Sequence, residues 1–130
     1  MVTLRVLKFF DGTVQGYVSI LQGILKEEIA HHNEYMASLD DEECQGRYQR
    51  TIHEIHRIMQ DIDALVVPNR EFDDCRQDLV RVGTQMEDAF TMAAQGDSQW
   101  DIRIPAIQST IRKVLQELTR LNRKYYPKAH

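Results

Sequence analysis

The run Ile104-Pro105-Ala106-Ile107-Gln108-Ser109-Thr110-Ile111-Arg112-Lys113-Val114-Leu115-Gln116-Glu117-Leu118-Thr119-Arg120-Leu121-Asn122-Arg123-Lys124-Tyr125 carries the clearest periodicity in the chain. Ile104, Ile107, Ile111, Val114, Leu118, Leu121 and Tyr125 recur at alternating steps of three and four. That is one stripe of an α-helix, not the two-residue alternation of a strand. Pro105 suits a first helical turn, where its missing N–H costs nothing, and Pro127 stops the helix. A helix is therefore expected over about 104–126. Its apolar seam is stable in water only against other helices.

Reading back from this seam, the same spacing recurs three times. Gln95-Gly96-Asp97-Ser98 combines a helix stop with a cap, so residues 98–103 form a short turn or separate helical piece. Before it, Phe72, Cys75, Leu79, Val82, Met86, Phe90 and Ala93 define a helix over about 69–95. Gly83 lies on that buried face and allows a neighbouring helix to come close. Val67-Pro68-Asn69 is the preceding break. Cys44, Tyr48, Ile52, Ile55, Met59, Ile62 and Val66 then mark a helix over about 41–66. Its acidic start, Asp40-Asp41-Glu42-Glu43, complements a helix N-terminus.

Val14, Leu21, Leu25, Met36 and Leu39 place the first helix over about 12–39. Residues 1–11 read two ways. Val2, Leu4 and Val6 alternate, and Asp11-Gly12 is a turn signal. Val6, Leu7 and Phe10 also continue the helical stripe of Val14. A helix is favoured, either broken near Asp11-Gly12 or starting there with Asp11 as N-cap. A helix starting near Thr3 would overhang the others and expose Phe9 and Phe10.

Three short linkers favour antiparallel neighbours. The expected fold is all-α: an up-down-up-down antiparallel four-helix bundle, one domain over 1–130, with an N-terminal arm that is helical or extended. At 130 residues, 42% of them hydrophobic and 28% charged, the chain has ordinary globular proportions. No apolar run reaches the length of a membrane span. The N-terminal apolar run has basic residues inside it, which makes a poor signal peptide. Cys44 and Cys75 sit near the starts of successive antiparallel helices, at opposite ends, so no disulfide is expected. A cytoplasmic protein is the expectation.

The net charge of −4 is unevenly spread. Residues 27–101 hold eighteen acids against six bases, and residues 102–130 hold seven bases against one acid. Arg112, Lys113, Arg120, Arg123 and Lys124 lie on the outer side of the last helix. With a sequence pI near 5.7 and no interleaved aromatic residues, this stripe suits solvent, an acidic protein surface or the chain's own acidic middle better than nucleic acid.

Polar chemistry enters the buried pattern at Glu28 and His32, one turn apart on the inner face of the first helix. Tyr48 is the natural hydrogen-bonding partner at that level, with Met86, Phe90 and Ile107 around it. Glu28-Ile29-Ala30-His31 also has the Glu-x-x-His spacing of di-iron bundles. The other helices supply no matching inward carboxylates, because Glu54, Glu87 and Glu117 project off the apolar faces. A transition metal held by Glu28 and His32, or on the surface by His31, His53 and His56, is the alternative to a purely structural pair. His53 and His56 lack the lysine and small neighbours of a phosphotransfer histidine. No Gly-rich phosphate loop and no nucleophile elbow occurs.

The functional expectation is a non-enzymatic protein–protein interaction or regulatory module, since no complete catalytic set is visible. Its partner would be another protein, or a second copy of itself, docking on the apolar arm Val2–Phe10 or on the basic face of the last helix. Neither nucleic acid nor membrane is expected. The alternative is a ligand- or metal-binding sensor built on Glu28 and His32.

Overall fold

The computed structural model describes residues 3–35 and 41–126, apart from the side chains of residues 33–35, 41 and 44. Four α-helices follow one another: α1 (Leu4–Tyr35), α2 (Asp41–Asp63), α3 (Asp73–Ala94) and α4 (Ile104–Tyr125). One 3-10 turn, Arg70–Phe72, precedes α3, and a 3-10 segment, Ser98–Arg103, precedes α4. Long-range contacts fix the directions. His32 near the end of α1 meets Tyr48 near the start of α2 and Trp100 just before α4. Phe10 near the start of α1 meets Phe72 just before α3, and Asp11 meets Asn122 at the end of α4. The bundle is all-α and runs up-down-up-down.

The three- and four-residue spacings reappear as burial. Cys75, Leu79, Val82, Met86, Phe90 and Ala93 of α3, with Phe72 just before it, are buried, as are Ile107, Ile111, Val114, Leu118 and Leu121 of α4. From α1 the core takes Leu7, Phe10, Val14, Val18, Leu21 and Leu25; from α2 it takes Tyr48, Ile55 and Ile62. The expected core positions Met36 and Leu39, and the side chain of Cys44, lie outside the described residues.

Two expectations at helix ends are corrected. First, α1 is not broken at Asp11-Gly12 and does not start there; it runs through both residues. Thr3 takes the capping role, its hydroxyl accepting from the N–H of Val6 at 3.2 Å. Asp11 instead accepts hydrogen bonds from Gln15 and, across the bundle, from Asn122, each at 2.9 Å. A helical glycine costs about 1 kcal/mol. Burying Leu7 and Phe10 returns about 1.5–3 kcal/mol each, so continuation wins. Phe9 is exposed as foreseen, but Phe10 is buried edge-on against Phe72, with ring centroids 5.5 Å apart. The first turns therefore belong to the bundle and do not overhang it.

Second, α2 ends at Asp63 and not at 66. Val66 consequently leaves the helical stripe and is 90% exposed. The start expected at 69 is the 3-10 turn, with Asn69 as its cap, accepting from the Glu71 N–H at 2.9 Å. Residues 98–103 form the separate helical piece, capped by Asp97 through the N–H of Gln99.

Gly83 has the role its position suggested. A Cβ there would stand 2.3 Å from Cγ of Met59, so α2 packs against the bare backbone of α3. We predict that Gly83→Ala lowers stability despite its better helix propensity, by about 1–3 kcal/mol, as overpacking does. Urea denaturation should also show coupling: Met59→Ala should cost less in the Gly83→Ala background than in the wild type.

Candidate functional site

The site at the α1 C-terminal end is built by one stripe of α1 carrying polar residues into a level where α2 and the 3-10 segment supply partners. Glu28 is 4% exposed. Its carboxylate is held by Arg47, which donates from Nη2 to Oε1 at 2.9 Å and from Nε to Oε2 at 3.3 Å. The Thr51 hydroxyl donates to Oε1 at 3.1 Å. This is a two-point guanidinium–carboxylate pair with a third donor, the arrangement that makes a buried carboxylate tolerable. Arg47 keeps part of its guanidinium at the surface, where Glu27 is 4.0 Å away.

His32, one turn on, is wedged between two aromatic residues. Trp100 Nε1–H donates to Nε2 at 3.3 Å, and Nδ1 lies 3.0 Å from the Tyr48 hydroxyl. An indole N–H can only donate, so Nε2 must be the bare nitrogen in this arrangement. The proton is thereby assigned to Nδ1, which donates to the Tyr48 oxygen. The rings meet edge to face, centroids 4.6 Å apart for His32 and Trp100. Phe90 stacks on Tyr48 and packs against Trp100.

Tyr48 is therefore the partner of His32, as its level on α2 implied. Both carboxylate oxygens of Glu28 and both ring nitrogens of His32 are engaged by side chains of this chain. The surface histidines are not gathered. His31 is half-buried on α1. His56 faces α3, its Nδ1 lying 3.3 Å from Glu87 Oε1 without hydrogen-bond alignment. His53 lies in a shallow groove with Arg50 and Arg57, whose charges oppose a cation. Among the described residues, no three His, Cys, Asp or Glu side chains are placed to hold a metal ion.

Sequence reasoning missed Arg47, Thr51, Trp100 and Asp78. Asp78 on α3 is 6% exposed, with Lys113 of α4 at 3.4 Å and Arg81 at 3.6 Å. The signal for Asp78 was the charge split, since an acidic middle facing a basic last helix needs meeting points. Trp100 gave a signal too, as the single tryptophan of the chain.

The same split accounts for two pairs on the basic face of α4, and a third lies within the helix itself. Lys113 pairs with Asp78, Arg120 with Glu117 at 2.5 Å, and Lys124 with Glu71 at 2.6 Å. The Tyr125 hydroxyl also donates to Glu71 and accepts from Asn69 Nδ2 at 2.7 Å. The hydrogen bond from Lys124 holds the Glu71 carboxyl below its usual 4.5, with Tyr125 adding to it. Arg76 does the same for Asp73, and Arg120 for Glu117. Burial pushes the Cys75 thiol up to about 12, with Glu117 and Asp78 acting in the same direction, so it is not a nucleophile at neutral pH.

Compared with protein-family models, with curated proteins and with solved structures, the chain has no match.

Two outcomes are expected. Arg47→Met strands a buried carboxylate and should cost about 2–4 kcal/mol in urea denaturation. Adding Glu28→Gln should recover some of that loss. For pH, depressed carboxyl values mean that the unfolded chain binds protons first. The contribution of Glu71 is then complete above 4.5 and is lost as pH falls below it. Thermal melts between pH 6 and pH 3 should fall less steeply for Glu71→Gln than for wild type.

Proposed function

We propose that the chain is a non-enzymatic protein–protein interaction module of the cytoplasm, and that it docks through the outer face of α1. The observation that carries this reading is the exposure of Val6, Phe9 and Ile20 on one side of a helix whose other side already fills the core. Phe9 is 76% exposed. Large apolar side chains aligned on one helix face mark a surface that gains by being covered. The apolar arm thus divides: Leu7 and Phe10 serve the core, and Val6 and Phe9 serve the surface.

The basic face of α4 supports docking less well, because Lys113, Arg120 and Lys124 are spent on acids of this chain. The same pairing, with a net charge of −4, favours a protein partner over nucleic acid. No helix among the described residues is long and apolar enough to cross a membrane. The sensor alternative requires a ligand to displace Arg47 and Thr51 from Glu28, or Tyr48 and Trp100 from His32. The engaged donors favour the structural role for that pair.

A photo-crosslinking residue at Phe9 tests the reading in cells. It should give a discrete protein adduct that the same residue at the exposed α4 position Ser109 does not give. Equal or absent labelling at the two positions would count against an interaction surface on α1.

A further inference from the structure

Among the described residues, nothing packs against three glycines of α1, Gly12, Gly16 and Gly23. A Cβ built on any of them meets nothing within 4 Å, in contrast to Gly83, where α2 occupies the space. A mid-helix glycine weakens a helix relative to alanine. Three lie on this one helix, and packing among the described residues accounts for none of them.

Their positions say more. At about 100° per residue, Arg5, Phe9, Gly12, Gly16, Ile20, Gly23 and Glu27 fall within one narrow outer sector of α1. This is the sector that exposes Phe9 and Ile20. Between Arg5 and Glu27 it contains no other charge. Place a second α1 antiparallel across it, with a two-fold axis through Gly16. Residue n then faces residue 32 − n of the partner copy. Phe9 faces Gly23, Ile20 faces Gly12, and Gly16 faces Gly16. Each bulky apolar side chain meets a bare backbone, and Arg5 at one end meets Glu27 at the other. A two-fold interface must be self-complementary in this way. A parallel pairing would oppose Phe9 to Phe9, Arg5 to Arg5 and Glu27 to Glu27.

We propose that a second copy of this chain packs antiparallel on the outer face of α1, centred on Gly16, with Phe9 and Ile20 seated over Gly23 and Gly12 and Arg5 paired with Glu27 across the interface. Resting on the interaction reading above, this names the partner. Arg5 has no ion pair among the described residues, and the Glu27 side chain is 68% exposed, with Arg47 4.0 Å away. Both ends are therefore available. The seam from Arg5 to Glu27 is about 33 Å long at 1.5 Å per residue, and α1 (Leu4–Tyr35) is the longest helix of the bundle. Close backbone approach along it is what glycine permits and a bulky residue forbids.

Analytical ultracentrifugation over a concentration series tests this on the full chain. The wild type should dimerise reversibly. Gly16→Leu should abolish the dimer while leaving the far-ultraviolet circular dichroism and the monomer's melting temperature unchanged or raised. Arg5→Glu and Glu27→Arg should each weaken dimerisation about tenfold, and the double variant Arg5→Glu/Glu27→Arg should restore it. Gly16→Cys in a Cys44→Ser background should oxidise to a disulfide-linked dimer. A dimer indifferent to Gly16→Leu, or charge swaps without rescue, would overturn the arrangement. A wild type that stays monomeric throughout, while Phe9 crosslinks to a different protein, overturns the second copy and leaves the interaction reading standing. Absence of both removes the two together.

Discussion

A carboxylate placed on the buried face of a helix must find donors there, and the Glu28 carboxylate sets the register of one end of this bundle. An unpaired buried charge costs several kcal/mol. The demand is met only if α2 lies at one height, where Arg47 and Thr51, one turn apart, both reach Glu28. The same height brings Tyr48 to His32. His32 in turn needs a donor for its second nitrogen, and Trp100 supplies it from the segment before α4. Sliding α1 by one turn would break all of these together. The apolar stripe of α1 alone, repeated every turn, does not specify the height so tightly. Asp11 bonded to Asn122 supplies a second fixed point near the start of α1.

What was legible in the sequence follows from which forces are local. The seams of α3 and α4 are local, because a three- and four-residue spacing places each Cβ on a known side of its own helix. Glu28 and His32 were located on the inner face for the same reason. Periodicity does not place the head of a long side chain. Arg47 starts near the edge of α2 and reaches Glu28 along its own stem. Trp100 lies in a six-residue 3-10 segment, too short to show a period. At Asp11-Gly12 the local turn signal pointed to a break, and the tertiary bond to Asn122, 111 residues away, was invisible. At Val66 the spacing continued in the sequence after the helix itself had stopped at Asp63.

The charge split resolves into structure along the α3–α4 side. Asp78 is too buried to stand alone, and Lys113 answers it from α4. Glu71 gathers Lys124 and Tyr125 at the other end of that helix. Exposed pairs of this kind contribute little individually. Their larger effect is on specificity: an α4 shifted or reversed against α3 would leave Asp78 without its lysine. The asymmetry of charge, read from the sequence as attraction within the fold or as two faces of opposite sign, is joined inside the bundle at Asp78–Lys113 and Glu71–Lys124.

Glycine makes the last distinction between what the protomer needs and what it offers. Gly83 is explained by Met59, whose side chain fills the space a Cβ would take. Gly96 is explained by its backbone, since its φ of 77° lies in the left-handed region that other residues avoid. Gly12, Gly16 and Gly23 have neither reason: they are helical, and among the described residues nothing fills the space before them. A helix holding 32 residues through three such positions draws its stability from its buried face. Among the described residues, nothing of the bundle covers the three glycines of its outer face. The bare backbone there is flanked by the exposed side chains of Phe9 and Ile20 and bounded by Arg5 and Glu27, an apolar stretch that a helix face turned wholly to water does not require.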